Sequence, residues 1–342
     1  MAVDIHDLYS GILSNVHMER PHKTMAKKLI INVAPTGSFM NRQQNPGQPY
    51  TMDENVKAAV EAHKAGAAVW HVHARDKDGT PSKDPHVLKE TIARVLDQCP
   101  DIVTSVVPYA DYEHQGLDLL KRTVDVLTDA GPEYFQSAVL LIQTLGFSEK
   151  FTYIITEKTL SEQVKYLEDH GVRPEYQGTS YQGIKDVLDW LIDKGIAKDP
   201  PLMNIMMGFH GFCHGSPLGP DPWNYIYMMT LQQTLAANAV KGVCAGGRNW
   251  LPFSTLAIML GFDMVRVGME DTVYLHPHRE EKIQTSAQAV RKVVTIASEL
   301  GREIATPAEA RAIMGIDLTA KKLGLAKHPT RPAAQHAPAP TS

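Results

Sequence analysis

Cysteine is scarce in this 342-residue chain: Cys99, Cys213 and Cys244 are odd in number, far apart and in no C-x-x-C spacing. Neither a disulfide framework nor a thiolate zinc knot is expected, and a reducing cytoplasm fits. An excess of either charge is also missing. Lys plus Arg total 34 against 38 Asp plus Glu, a net charge of -4, which leaves no electrostatic footprint for nucleic acid and makes a small molecule the default partner. No run approaches the ~20 apolar residues of a membrane helix. Asp4, His6 and Asp7 stand where an export signal needs a basic and then an apolar segment, so the protein reads as soluble and unexported. What is present is ordinary globular composition, 43% hydrophobic and 21% charged, which excludes global disorder and collagen-like repeats. The length fits two average domains or one large α/β barrel.

Residues 1–26 mix polar positions with Leu8, Ile12 and Leu13, as expected of an arm lying on the body or on a neighbouring subunit. Residues 327–342 read KHPTRPAAQHAPAPTS, with no large apolar anchor, and are expected to form a disordered tail. Between them, in residues 27–326, one rhythm recurs. A short β-branched run, a turn and a helix with 3.6-residue apolar spacing follow one another about every 30 to 40 residues, the signature of consecutive βα units. The spacing predicts strands at 29–34, 67–73, 102–107, 134–141, 173–177, 202–208, 240–244 and 264–268. Helices are predicted between them, for example at 53–65 with Met52, Val56, Ala59 and Val60 on one face, and at 282–300 with Ile283, Ala287, Val290, Val294 and Ala297; Gly66 and Gly301 follow as C-terminal stops. Eight such units imply a TIM (β/α)8 barrel with its chemistry at the C-terminal strand ends. A doubly wound sheet is the alternative, but no G-x-G-x-x-G follows the first strand.

The second predicted strand carries the most chemistry. Alternation puts Val69, His71 and His73 of VWHVHARD on one face and Trp70 and Val72 on the other. Two neutral imidazoles at i and i+2 can grip one cation from a rigid strand end; the plainer reading is a pair of core histidines. A third ligand must come from another strand end, and MVRVGMED supplies Glu270 where the eighth strand finishes. An inward Arg266 needs a counter-ion, for which Asp271 or a bound anion is the obvious source. Two loops share the same predicted rim. GFHGFCHG follows strand six, with His210 and His214 as polar contacts, and AGGRN follows strand seven, where Gly246, Gly247 and Arg248 are candidates for holding a phosphate or carboxylate. His276 and His278 have no strand to organise them, and the Met pairs near 206 and 228 read as packing filler.

With HVHARD, RVGMED and APTGSFMNRQQNP in view, the chain resembles the β-keto acid cleavage enzymes, the family of the 3-keto-5-aminohexanoate cleavage enzyme. The resemblance runs from about Lys28 to Ile316 and includes DKDGTPSKDP, AGGRNWLPFSTLAIMLG and SELGREIATPAEAR. It implies a zinc-bearing TIM barrel that takes a β-keto acid and acetyl-CoA and yields acetoacetate plus a new acyl-CoA. On it, His71, His73 and Glu270 match the family's metal ligands, and Arg266 and Asp271 its catalytic pair. Two imidazoles and one carboxylate accept manganese, cobalt or nickel as well as zinc. The resemblance further implies a homo-oligomer, in expectation a tetramer.

The chain departs from the family where the substrate side chain is read. The aminohexanoate enzyme's acidic residue after the first-strand turn aligns with Phe39, and polar positions at the ends of strands three and four fall near Val106 and Leu140. A primary amine thus loses its counter-charge. An apolar substrate is expected, or a quaternary ammonium in cation–π contact with Phe39 or Tyr109. Two rival functions use the same residues: an amidohydrolase-type metal hydrolase that recruits His210 and Asp271, and a barrel that binds metal and CoA without turnover.

Overall fold

Each predicted β-branched run becomes a strand in the computed structural model, which describes residues 25–38, 40–108, 117–142, 145–148, 151–178, 180–208 and 222–319. The strands are β1 Ile30–Val33, β2 Val69–Val72, β3 Val103–Val106, β4 Ser137–Leu141, β5 Arg173–Gly178, β6 Leu202–Met207, β7 Val240–Ala245 and β8 Met264–Val267. All pair in parallel in chain order, and β8 closes back on β1 through Ile30 opposite Met264 and Asn32 opposite Arg266. Helices α1 Met52–Lys64, α2 Pro85–Leu96, α3 Asp118–Ala130, α4 Glu157–Asp169, α5 Tyr181–Asp186, α6 Pro222–Leu235, α7 Trp250–Met259 and α8 Ser286–Glu299 follow the strands, and α9 Pro307–Met314 comes after them. The TIM barrel expected from the rhythm is therefore the fold.

Strand alternation divides the core into two layers. Ile30, Val69, Val103, Leu202, Val240 and Met264 form one cluster with Ala305, Ala310 and Met314, so the segment leading into α9 and α9 itself plug the N-terminal end of the barrel. Residues of the opposite parity, among them Ile31, Val33, Trp70 and Val72, pack outward against the helices. Val106 and Leu140 belong to that outer layer. The inward neighbours on β3 and β4, near which the family's polar positions fall, are Ser105 and Val139.

Two further details differ from the expectation. The eighth helix starts at Ser286 rather than 282, because Thr285 caps it by accepting the Gln288 N–H, while Ile283 donates its N–H to Val273 O at 2.9 Å. Residues 282 and 283 are thus held in extended backbone beside the β8 loop. After β4 the chain forms a hairpin of Leu145–Ser148 and Phe151–Tyr153 that the rhythm does not predict; two strands of four and three residues fall below the length at which periodicity is legible. Most of the expected arm (1–24) and the end of the chain (320–342), with the expected tail, lie outside the described residues. Among the described residues no helix is long and apolar enough to cross a membrane.

Candidate active site

The eighth strand stops at Val267 because of what Gly268 does next. Gly268 adopts φ +148°, and a Cβ there would lie 2.1 Å from the carbonyl oxygen of Ala34 at the end of β1, so only glycine passes this close. The chain then turns tightly: Asp271 and Thr272 donate their N–H groups to Gly268 O at 3.2 and 3.3 Å, and Glu270 donates its own to Ala34 O at 3.1 Å. In a continued strand, Glu270 and Asp271 would point to opposite faces. In the turn both reach Arg266, whose guanidinium lies 2.7 Å from Asp271 Oδ1, 3.0 Å from Oδ2 and 2.8 Å from Glu270 Oε1. All three side chains are buried. Burial alone would discharge the Glu270 carboxyl, but Arg266 and the two histidines outweigh it and hold its pKa well below the usual carboxylate range. Asp271 goes the other way, pushed up to about 6 by burial against the pull of the same guanidinium.

His71 and His73 rise from β2 on the predicted shared face, with their Nε2 atoms 3.2 Å apart. Glu270 completes a triangle, Oε2 lying 3.5 Å from His71 Nε2 and Oε1 3.3 Å from His73 Nε2. Ligands about 2.0–2.1 Å from a tetrahedral ion are separated from one another by about 3.3 Å; each imidazole has about that spacing to its nearer Glu270 oxygen, and one ligand atom from each of the three residues lies within 4.8 Å of the other two. They form the group of metal-ligating side chains found together among the described residues. Protonation agrees with the geometry. Burial, helped by Arg266, pushes His71 down to about 3, so its imidazole is neutral. Arg266 Nη1 lies 3.0 Å from His71 Nε2; a guanidinium only donates, so that Nε2 carries the lone pair a metal needs.

Beneath this triangle the barrel lumen holds a group the sequence reading missed. Glu175 on β5 is fully buried, accepting hydrogen bonds from Ser105 Oγ at 3.0 Å and Asn204 Nδ2 at 2.5 Å. A Glu in RPEYQG carries no motif; the signal available was only its inward parity on a strand. Burial pushes its pKa up, so its contribution to stability is complete below the ordinary value of 4.5 and is lost as pH rises through the folded-state value. Glu175→Gln can accept from Asn204 Nδ2 through its amide oxygen and donate its amide N–H to Ser105 Oγ, without the titration. Urea midpoints from pH 4 upward are accordingly expected to fall for the wild type relative to the variant, and parallel curves would show that Glu175 is not strained by burial.

The remaining predicted contacts divide. Gly246 and Gly247 stand at the end of β7, but their N–H groups are engaged internally, with Met207 O at 2.7 Å and Asp271 O at 2.9 Å. The phosphate cradle expected there has no donor left from these two residues. A small residue is needed for packing at Gly247 and at its neighbour Gly208 instead, since a Cβ on Gly208 would meet Gly246 O at 2.5 Å and one on Gly247 would meet Gly208 O at 2.7 Å. Arg248 stacks on Tyr274 at 3.5 Å and pairs with Glu280 at 2.7 Å on the rim. Phe39, Tyr109, His210 and His214 lie outside the described residues.

Residues 28–316 match the family described as beta-keto acid cleavage enzyme. The chain belongs to that family. Among the proteins it resembles, the 3-keto-5-aminohexanoate cleavage enzyme of Acetoanaerobium sticklandii is 32% identical over 295 residues, 85% of this chain and 99% of that protein. The 3,5-dioxohexanoate:acetyl-CoA acetone transferase of Paraburkholderia graminis is 26% identical, covering 84% and 96%. The 3-dehydrocarnitine:acetyl-CoA trimethylamine transferase of Rhizobium meliloti is 27% identical, covering 84% and 96%. Among solved structures, ObcA in ternary complex with a C4-CoA adduct and oxalate superposes with a TM-score of 0.65 at 17% identity, over 79% of this chain and 68% of that one; that likeness concerns the fold.

Proposed function

We propose that this β-keto acid cleavage enzyme uses acetyl-CoA as its second substrate and holds Zn2+, or another divalent transition metal, on His71, His73 and Glu270. The observation that carries the reading is the buried cluster of those three groups, whose ligand atoms lie within 4.8 Å of one another, beside the Arg266–Asp271 pair. When bound, the metal supplies charge stabilisation for the enolate form of a β-keto acid.

Asp271, oriented by Arg266, takes the proton from the carbon between keto group and carboxylate. Burial sets it near the pKa a general base needs at neutral pH. The carbanion attacks the acetyl thioester carbonyl and expels CoA thiolate. The thiolate then attacks the original keto carbon, the bond to the former carbanion carbon breaks, and that carbon takes the proton back. The products are acetoacetate and a new acyl-CoA, with every atom of both substrates accounted for. Phe39 and Tyr109 read the substrate side chain, and His210, Gly246, Gly247 and Arg248 border the CoA. For the two glycines the role is to let the backbone approach the ligand, their N–H groups being already engaged. An aromatic in place of an acid at position 39 favours an apolar or quaternary-ammonium side chain over a primary amine.

The assembly is a homo-oligomer, in our reading a tetramer. Support comes from α6 and α7, which expose Ile226, Tyr227 and Met259 on the outer ring, where a helix facing water is expected to be polar. A cytoplasmic location accords with Cys99 and Cys244, both free thiols.

The test is mass-spectrometric detection of acetoacetate and new acyl-CoA from acetyl-CoA and a panel of apolar, anionic, amino and quaternary-ammonium β-keto acids, with a chelator-treated control. Chelator-sensitive formation of both products from an apolar or quaternary member is the expected result. Hydrolysis of an amide or lactone without CoA would favour the amidohydrolase reading instead.

A further inference from the structure

Whereas Arg266 pairs with Glu270 and Asp271, Arg75 is buried at the end of the HVHAR segment and its hydrogen bonds run to Thr36, Gly37, Met40 and Gly79. Its guanidinium is spent on the loop that leaves β1. Nε donates to Thr36 Oγ1 at 2.8 Å, Nη2 to Gly37 O at 2.6 Å and Met40 O at 3.2 Å, and Nη1 to Gly79 O at 2.7 Å, while its plane lies 4.6 Å from the Tyr50 ring. Thr36 Oγ1 in turn donates to Pro49 O at 3.1 Å and accepts from Gln48 Nε2 at 3.0 Å. The loop is thus drawn onto the turn after β2. What it presses on is the metal triangle: a Cβ at Gly37 would lie 2.2 Å from Cγ and Cδ of Glu270 and 2.6 Å from its Oε1. The backbone at Gly37 therefore lies in van der Waals contact with the ligand carboxylate and closes off the rotamers on that side.

From this we infer that Arg75 is a positioning residue: it clamps the Gly37 backbone against Glu270 and so sets how tightly the His71, His73 and Glu270 triangle holds its metal. The inference rests on the metal site proposed above. It needs an arginine in particular, because four acceptors in different directions match a planar fork with five N–H donors, whereas a lysine ammonium presents three donors from a single point. Supports of this kind, one contact removed from the ligand, typically account for about 10–100-fold in metal affinity.

The experiment is competition of Zn2+ alone against a chromophoric chelator for the wild type, Arg75→Lys, Gly37→Ala and the double variant, with urea unfolding of each metal-free protein alongside. Arg75→Lys is expected to weaken Zn2+ by about 10–100-fold, and Gly37→Ala by at least as much because its methyl group displaces Glu270. Since both act through one contact, the double variant should be no weaker than the worse single one. If Arg75→Lys does not fold, Thr36→Val removes the Nε acceptor together with the links from Thr36 to Gln48 and Pro49, and carries the same expectation at the lower end, about 10-fold. A folded Arg75 or Thr36 variant that loses metal-free stability while keeping wild-type Zn2+ affinity overturns the inference, because it reduces Arg75 to a structural role. A wild-type protein that takes up no Zn2+ overturns the metal site itself, a distinct outcome visible before any variant is made.

Discussion

Glu270→Gln is expected to strip the metal and abolish turnover, whereas Asp271→Asn should keep the metal and lower kcat by about 10³-fold. The two carboxylates are adjacent in sequence and share Arg266 as partner, so a general loss of charge in the site would affect both variants alike. Their surroundings separate them. Glu270 lies 3.3 and 3.5 Å from the two imidazoles, and its charge is held on by Arg266 first and by them second. A neutral amide oxygen in the same place is a much poorer ligand for a divalent ion. Asp271 takes both oxygens to the guanidinium; as an amide it still accepts one hydrogen bond but has no basic site for a C2 proton. Metal per protomer by inductively coupled plasma mass spectrometry and deuterium exchange at C2 read the two roles independently. Asp271→Asn retaining both metal and exchange would remove the residue from the role of base.

The second large effect concerns stability. Gly268→Ala is expected to cost about 3–5 kcal/mol, far more than an exposed glycine substitution, because two penalties coincide. The φ of +148° is one that L side chains rarely adopt, and the added methyl would sit 2.1 Å from Ala34 O and 2.6 Å from its carbonyl carbon. Backbone on both sides must move, at the junction where β8 closes the barrel on β1. The same movement breaks the hydrogen bond from the Glu270 N–H to Ala34 O, so metal retention should fall together with the urea midpoint. A variant with lowered stability but undiminished metal would mean that the 268–272 turn re-forms around the methyl and that Glu270 is placed by other contacts.

How far such features are visible in sequence depends on their range. The paired histidines are legible because the period of two is a local property: His71 and His73 share a face wherever that strand goes. The outward parity of Val106 and Leu140 is equally local: it turns them to the helices and leaves Ser105 and Val139 facing the lumen. Glu175 was invisible for the opposite reason. It gains meaning only from Ser105 and Asn204, 70 and 29 positions away, and nothing around it marks it. The glycines at 246 and 247 looked like an anion cradle because glycine permits one. Whether their N–H groups are available depends on which carbonyls lie opposite, and Met207 and Asp271 take them.

By itself the sequence determined the eight βα units, the closed architecture that eight such units require, the shared face of the two imidazoles and the stretch of chain that carries the family's motifs. Those follow from periodicity, capping and residue chemistry, all of which act over a few positions. The tertiary structure alone decided that Glu270 and Asp271 turn the same way, that Arg266 meets His71 across 195 positions of sequence, and that the loop after β1 lies against a ligand carboxylate. Each of these depends on where one strand end lies relative to another once the barrel is closed, and that distance is set by the packing of the whole ring rather than by any segment of it.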